Sequence, residues 1–154
     1  AREWAQAGQL LVDMRLSAVV VDVITYNATI SACEKGGRWE RALALLAELH
    51  RQGLGADTIS LNATISACVR GGRWPVALHL YNTARRHSVA MSIFTYNATI
   101  SGLAKGAHWE SALEMLDDID QKSLEADVVT YNALTSACEQ SGQWMACLYL
   151  LCHL

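Results

Sequence analysis

A nine-residue stretch occurs four times at a fixed distance. It reads Thr25-Tyr26-Asn27-Ala28-Thr29-Ile30-Ser31-Ala32-Cys33 first, then Ser60-Leu61-Asn62-Ala63-Thr64-Ile65-Ser66-Ala67-Cys68. The third copy is Thr95-Tyr96-Asn97-Ala98-Thr99-Ile100-Ser101-Gly102-Leu103 and the fourth is Thr130-Tyr131-Asn132-Ala133-Leu134-Thr135-Ser136-Ala137-Cys138, so the step is 35 residues throughout, without insertion. Trp4, Trp39, Trp74, Trp109 and Trp144 keep the same step. A unit this short cannot bury a core by itself and must stack on its neighbours. The chain of 154 residues is 52% hydrophobic, enough for a continuous core between repeats. The expected fold is all-α: a right-handed α-solenoid of stacked 35-residue helix-turn-helix repeats, with no strands.

The units fall at 23–57, 58–92 and 93–127, with the back part of a repeat at 1–22 and a truncated one at 128–154. In residues 1–22, Trp4, Ala7 and Leu11 step by three and four, which predicts an amphipathic helix ending near Met14. A connector to Asp22 follows; the Val19-Val20-Val21 run belongs to it, because it occupies the place of Leu54-Gly55-Ala56 in the next unit. In unit 23–57 the first helix spans about Val23 to Lys35, N-capped by Asp22. Gly36-Gly37 breaks it, and a second helix runs from about Arg38 to Arg51, ended by Gly53. Trp39, Ala42, Leu43, Leu46 and Leu49 give that helix its apolar face. Unit 58–92 breaks at Gly71-Gly72 and puts Pro75 in the first turn of its second helix, where a missing N–H costs little. Its stripe is Trp74, Ala77, Leu78 and Tyr81; the next is Trp109, Ala112, Leu113, Leu116 and Ile119, and the last Trp144, Cys147, Leu148 and Leu151. The tryptophans read as core, being in register with the leucines.

The chain opens and closes inside a repeat, so it is expected to be a fragment of a longer protein. No apolar run reaches 18 residues and no targeting peptide is visible, so no membrane partner is expected. One proline, ten glycines and no low-complexity run argue against disorder. Cys33, Cys68 and Cys138 share one repeat position, which Leu103 fills in the third unit. A site that takes Cys or Leu is buried and apolar rather than a disulfide or zinc framework. Cys147 and Cys152 are five apart, with no second pair at zinc-ligand spacing. The histidines, His50, His79, His87, His108 and His153, fall at no common repeat position. No catalytic triad, P-loop, paired carboxylates, metal, cofactor or small-molecule substrate site is arguable, and no catalysis is expected. Asn27-Ala28-Thr29, Asn62-Ala63-Thr64 and Asn97-Ala98-Thr99 match the glycosylation sequon, but each lies inside an expected helix.

The first helix of each unit has two faces. Tyr26, Ile30 and Cys33 form the buried one; Ile24, Asn27, Ser31 and Lys35 form a second, mixed stripe. The same places hold Ile59, Asn62, Ser66 and Arg70, then Phe94, Asn97, Ser101 and Lys105, then Val129, Asn132, Ser136 and Gln140. Asparagine is unfavourable inside a helix, because its amide competes for backbone groups. Four at one helical site are not placed there for helix stability. An amide carries a donor and an acceptor, as reading a base edge requires. An apolar residue one turn before it can press on a base, and a cation two turns after can meet a phosphate. Stacked, these rungs form a template for single-stranded nucleic acid, one base per repeat. A net charge of −3 argues the other way unless the cations gather on one face. A solvated helix face is the plainer account of the asparagines, and dipole complementation at a helix C-terminus is that of Lys35, Arg70 and Lys105.

The 35-residue step, the Tyr-Asn pair, the glycine break and the closing Asp together resemble the pentatricopeptide repeat (PPR) family over essentially the whole chain. The resemblance implies that a base is read by the fifth residue of a motif with its last, while the second packs on the base. That pairs Asn27 with Asp57, Asn62 with Ser92 and Asn97 with Asp127; Asn132 has its closing residue beyond Leu154. Ile24, Ile59, Phe94 and Val129 are then the packing residues, and Lys35, Arg70 and Lys105 face the phosphates. Asn with Asp is similar to the family's uridine reader and Asn with Ser to its cytidine reader, implying 5′-U-C-U-pyrimidine. The implied function is sequence-selective binding of single-stranded RNA in a chloroplast or mitochondrion, serving RNA processing, stability, editing or translation. Leu61 in place of Tyr, the recurring Trp and Gln140 depart from the family pattern. No His-x-Glu with Cys-x-x-Cys appears, so the deaminase domain of some members is absent here. Two alternatives stand beside this reading: a helical scaffold for protein partners, and the repeat part of a protein-only ribonuclease whose nuclease domain lies beyond Leu154.

Overall fold

The computed structural model describes residues 3–17, 22–87, 89–146 and 148. Helices follow one another as α1 (Glu3–Leu16), α2 (Val23–Lys35), α3 (Trp39–Arg51), α4 (Thr58–Arg70), α5 (Trp74–Arg86), α6 (Ile93–Lys105), α7 (Trp109–Gln121) and α8 (Val128–Gln140). No strand occurs among the described residues. The helices form two compact units, 1–90 and 91–154. In the first, α2 packs on α1, α3 and α4, and α4 also packs on α3 and α5; in the second, α6, α7 and α8 pack on one another. Each unit is therefore an all-α stack of helical hairpins, the helical-repeat solenoid class the 35-residue step predicts.

The helix ends follow from a few residues that recur with the repeat. Asp22, Asp57, Ser92 and Asp127 precede α2, α4, α6 and α8, and each side chain accepts from the backbone N–H three residues on. At the other end the glycine pair does two separate jobs. Its second member takes a left-handed conformation, φ +64° at Gly37 and +71° at Gly72. There it closes a Schellman turn, in which Arg38 N–H donates to Cys33 O and Arg73 N–H to Cys68 O. Its first member lets a ring approach: a Cβ on Gly71 would run into the Trp39 side chain of the preceding hairpin.

Three details differ from the sequence reading. α1 continues to Leu16 instead of ending near Met14, since Arg15 and Leu16 are good helix formers and nothing there stops it. The second helices begin at the tryptophan, because the Schellman turn holds Arg38 and Arg73 outside helical geometry. The tryptophans are not central core: Trp39, Trp74 and Trp109 are half-buried, and Trp39 packs against the hydrophobic cluster and lies under Arg73, whose guanidinium is 4.7 Å from the ring. The Val19–Val21 connector, Cys147, Leu151 and Cys152 lie outside the described residues.

The core of the first unit joins Leu11, Tyr26, Ile30, Cys33, Ala42, Leu45, Leu49, Ala63 and Ala67. In the second unit Tyr96, Ile100, Leu103, Ala112, Met115, Ile119, Leu134 and Cys138 are buried. Cys33, Cys68, Leu103 and Cys138 thus occupy one buried site. Burial pushes the Cys68 thiol up to about 11, which suits a packing residue rather than a nucleophile. Thr29, Thr64 and Thr99 are buried too, and each hydroxyl donates to the carbonyl four residues back, at 2.7–2.8 Å. That satisfies the hydroxyl within its own helix, and Leu134 fills the same place in the fourth repeat.

Candidate nucleic-acid interface

The mixed stripe divides into three depths. Its outermost members are the apolar ones: Ile24, Ile59, Phe94 and Val129 are 75%, 59%, 57% and 58% exposed. Large hydrophobic side chains standing in water at one repeat position are what a partner with flat apolar faces would cover. Lys35, Arg70 and Lys105 close the same helices at their C-terminal ends, where the dipole favours a cation, and all three are exposed.

The asparagines between them are tied down. Asn27 is only 8% exposed, and its Nδ2 donates to Asp57 Oδ2 at 2.8 Å. Asp57 also accepts from Ser60 N–H at 2.8 Å through Oδ1. One carboxylate therefore caps α4 and holds the amide of the preceding repeat. The arrangement recurs 70 residues on, where Asn97 Nδ2 donates to Asp127 Oδ1 at 3.0 Å and Asp127 caps α8. Asn62 is half-buried, and its counterpart Ser92 belongs to the other unit. Asn132 is exposed.

These contacts fix the charge state of the aspartates. Burial pushes the Asp57 carboxyl upward, but hydrogen bonds from the Ser60 backbone and the Asn27 side chain outweigh it and hold it below its ordinary value of 3.8. At Asp127 the Thr130 backbone and hydroxyl, joined by Asn97, likewise hold the carboxyl down. Both are carboxylates at neutral pH and act only as acceptors. Each pair then offers an amide N–H beside a carboxylate oxygen, a donor and an acceptor side by side, next to an exposed apolar side chain.

Two features escaped the sequence reading. Glu34, beside the cation series, accepts from Ser66 Oγ at 2.7 Å and pairs with Arg70 at 3.7 Å. Ser66 is consequently buried instead of lying open on the stripe, and Arg70 shares its charge with a neighbour. On the buried side, Tyr96 Oη donates to Asp118 Oδ2 at 2.6 Å, with Lys122 Nζ 3.1 Å from the same oxygen. A sequence signal for that link exists. Glu48 stands at the place of Asp118 in the first repeat, and where Leu61 replaces the tyrosine, Thr83 replaces the acid. Among the described residues no cluster of three or more His, Cys, Asp or Glu could hold a metal, and no helix is long and apolar enough to cross a membrane.

Hairpins repeating every 35 residues, with a linked Asn–Asp pair at their junctions, define a helical-repeat protein. The PPR repeat family profile matches residues 56–105 and 91–140, and the single PPR repeat profile matches 24–54 and 129–154. The chain belongs to the pentatricopeptide repeat family. No curated protein matches it in sequence. Among solved structures it is similar to PPR10 in complex with an 18-nt psaJ RNA element, with 28% identity over 98% of this chain and a TM-score of 0.76. It spans only 22% of that protein's length. The PPR domain of Arabidopsis thaliana protein-only RNase P 1, in complex with tRNA, shares the fold at 12% identity and a TM-score of 0.85, covering 98% of this chain and 80% of that one. Nuclear proteinaceous RNase P 2 from A. thaliana does so at 12% and 0.86, over 99% of this chain and 35% of that one.

Proposed function

We propose that this chain binds single-stranded RNA, one base per repeat, with the order 5′-U-C-U-pyrimidine along the first to fourth repeats. The observation that carries the proposal is the linked amide and carboxylate, Asn27–Asp57 and Asn97–Asp127, each beside an exposed apolar side chain. In each repeat the apolar residue covers a base face, and in the first and third the Asn–Asp pair meets the base edge. For the second base the family resemblance implies Asn62 with Ser92, a hydroxyl standing where the other repeats have a charged acceptor. Asn132 reads the fourth. Lys35, Arg70 and Lys105 meet the phosphates. PPR10, at 28% identity and in complex with RNA, supports the partner class. The biological setting, organellar RNA processing, stability, editing or translation, rests on the family resemblance. The role is binding: the chain masks or presents a pyrimidine segment.

Fluorescence anisotropy of labelled oligonucleotides tests this. At low salt the wild type should bind a U-C-U-rich RNA in preference to a purine RNA, and Asn27→Ala/Asn97→Ala should lose that preference. Equal binding of both RNAs would reduce the site to an electrostatic groove. Absence of binding would point instead to a protein partner.

A further inference from the structure

The two Asn–Asp pairs are identical in sequence but not in how the amide is held, and the residue three past the closing aspartate differs between them. Three residues past the closing aspartate stands Thr130 in one case and Ser60 in the other, both fully buried. Thr130 Oγ1 lies 2.6 Å from Asn97 Oδ1 and 2.9 Å from Asp127 Oδ1, so its single proton is shared between the two, with the amide oxygen the nearer acceptor. Asn97 is then gripped at both ends, donating to Asp127 and accepting from Thr130. Ser60 instead donates to the Asp57 backbone carbonyl at 2.9 Å. Asn27 Oδ1 is left buried with no hydrogen-bond partner among the described residues. The β-branched threonine also has a stiffer χ1 than serine, which keeps its hydroxyl aimed.

We infer that this position, supplied by the next repeat, is a positioning residue for base selection: Thr130 fixes Asn97 for reading, and Ser60 leaves Asn27 less fixed. The inference rests on the RNA-reading proposal and deepens it. A base-reading amide discriminates only as far as its donor and acceptor are held in place, because an amide that can shift accommodates a second base. Repeats with the same Asn–Asp pair therefore differ in stringency, the third exceeding the first. Asn27 also carries a buried unsatisfied acceptor, the kind of defect a nearby donor removes.

The test uses the same chain and anisotropy, with RNAs differing by U→C at the first or the third position of the U-C-U site. The wild type should discriminate more strongly at the third position. Thr130→Val keeps the shape and removes the hydroxyl; it should lower the U/C ratio at the third position roughly five-fold, the weight of one hydrogen bond, and leave the first position alone. Thr130→Ser should fall between. Ser60→Thr should raise the ratio at the first position only. Loss of a cap at α8 weakens binding to every RNA but not the ratio, so a structural role would not produce this pattern. Unchanged ratios in Thr130→Val and Ser60→Thr, with the wild type still selective, would overturn the inference and leave base reading intact. If Thr130→Val does not fold, Ser60→Thr decides alone. A wild type with no preference at either position sinks both.

Discussion

At the scale of single residues, the exposed apolar stripe separates the repeats by chemistry. Phe94 is the one aromatic among Ile24, Ile59, Phe94 and Val129, and stacking of a base on an aromatic ring is worth about 1–3 kcal/mol. Phe94→Ala should therefore weaken RNA binding by about ten-fold or more, while Val129→Ala should change it by two- or three-fold at most. A titration of both variants against one RNA checks the order, and equal losses would show that the stripe excludes water without stacking. The aspartates carry a second prediction, about pH. Asp57 and Asp127 have folded-state pKa values below the ordinary 3.8, so their stabilisation is complete above that value and is lost as pH falls through the lower folded-state value. The urea midpoint should hold between pH 7 and 5 and drop below about pH 4. Asp57→Asn/Asp127→Asn keeps capping side chains but cannot titrate, so its loss between pH 5 and 3 should be smaller than that of the wild type.

At the scale of helices, the Schellman turns expose two positions where the repeat departs from its own rule. Gly37, Gly53, Gly72 and Gly142 take φ between +64° and +71° as their helices end. Ala107 and Ser123 sit in the equivalent turns at φ +57° and +53°, with His108 N–H on Leu103 O and Leu124 N–H on Ile119 O. A side chain in that conformation costs about 1 kcal/mol. Ala107→Gly and Ser123→Gly should each raise stability by up to about 1 kcal/mol, read as a higher melting temperature. A drop in melting temperature would mean that the wider conformational freedom of glycine in the unfolded chain outweighs the relief of strain. The repeat made these elements legible from sequence: the cap at Asp22, breaks at the glycine pairs and a Cys/Leu core site all lie within one repeat. What stayed hidden spans two units. The burial of Asn27, the Thr130 grip and the Glu34–Arg70 pair each join residues 30 to 36 positions apart, brought together only when one hairpin settles on the next. The Trp39 ring was misjudged for the same reason, since it is covered by a glycine of the following repeat, not by its own helix.

At the scale of the whole molecule, the balance of charge decides how RNA is held. The chain carries −3, so no long-range attraction draws a polyanion to it, and binding must come from cations gathered at the stripe. Lys35, Arg70 and Lys105 are the three in register, and neutralising three phosphates of a single strand gives a log–log salt slope of about −2. Arg70, however, is shared with Glu34, itself held by Ser66. RNA must compete with that carboxylate, and a pair whose arginine is half exposed in this way is worth up to about 1 kcal/mol. Glu34→Gln should therefore raise affinity by up to about five-fold at low salt, with the gain shrinking as salt screens the charges. Lys105→Ala, which removes a cation with no carboxylate paired to it among the described residues, should instead make the slope shallower by about 0.7. Affinity measured from 50 to 300 mM salt in the three proteins separates the outcomes. A wild-type slope near zero would mean that the cations only complement helix ends, and that whatever binds the exposed apolar stripe is not a nucleic acid.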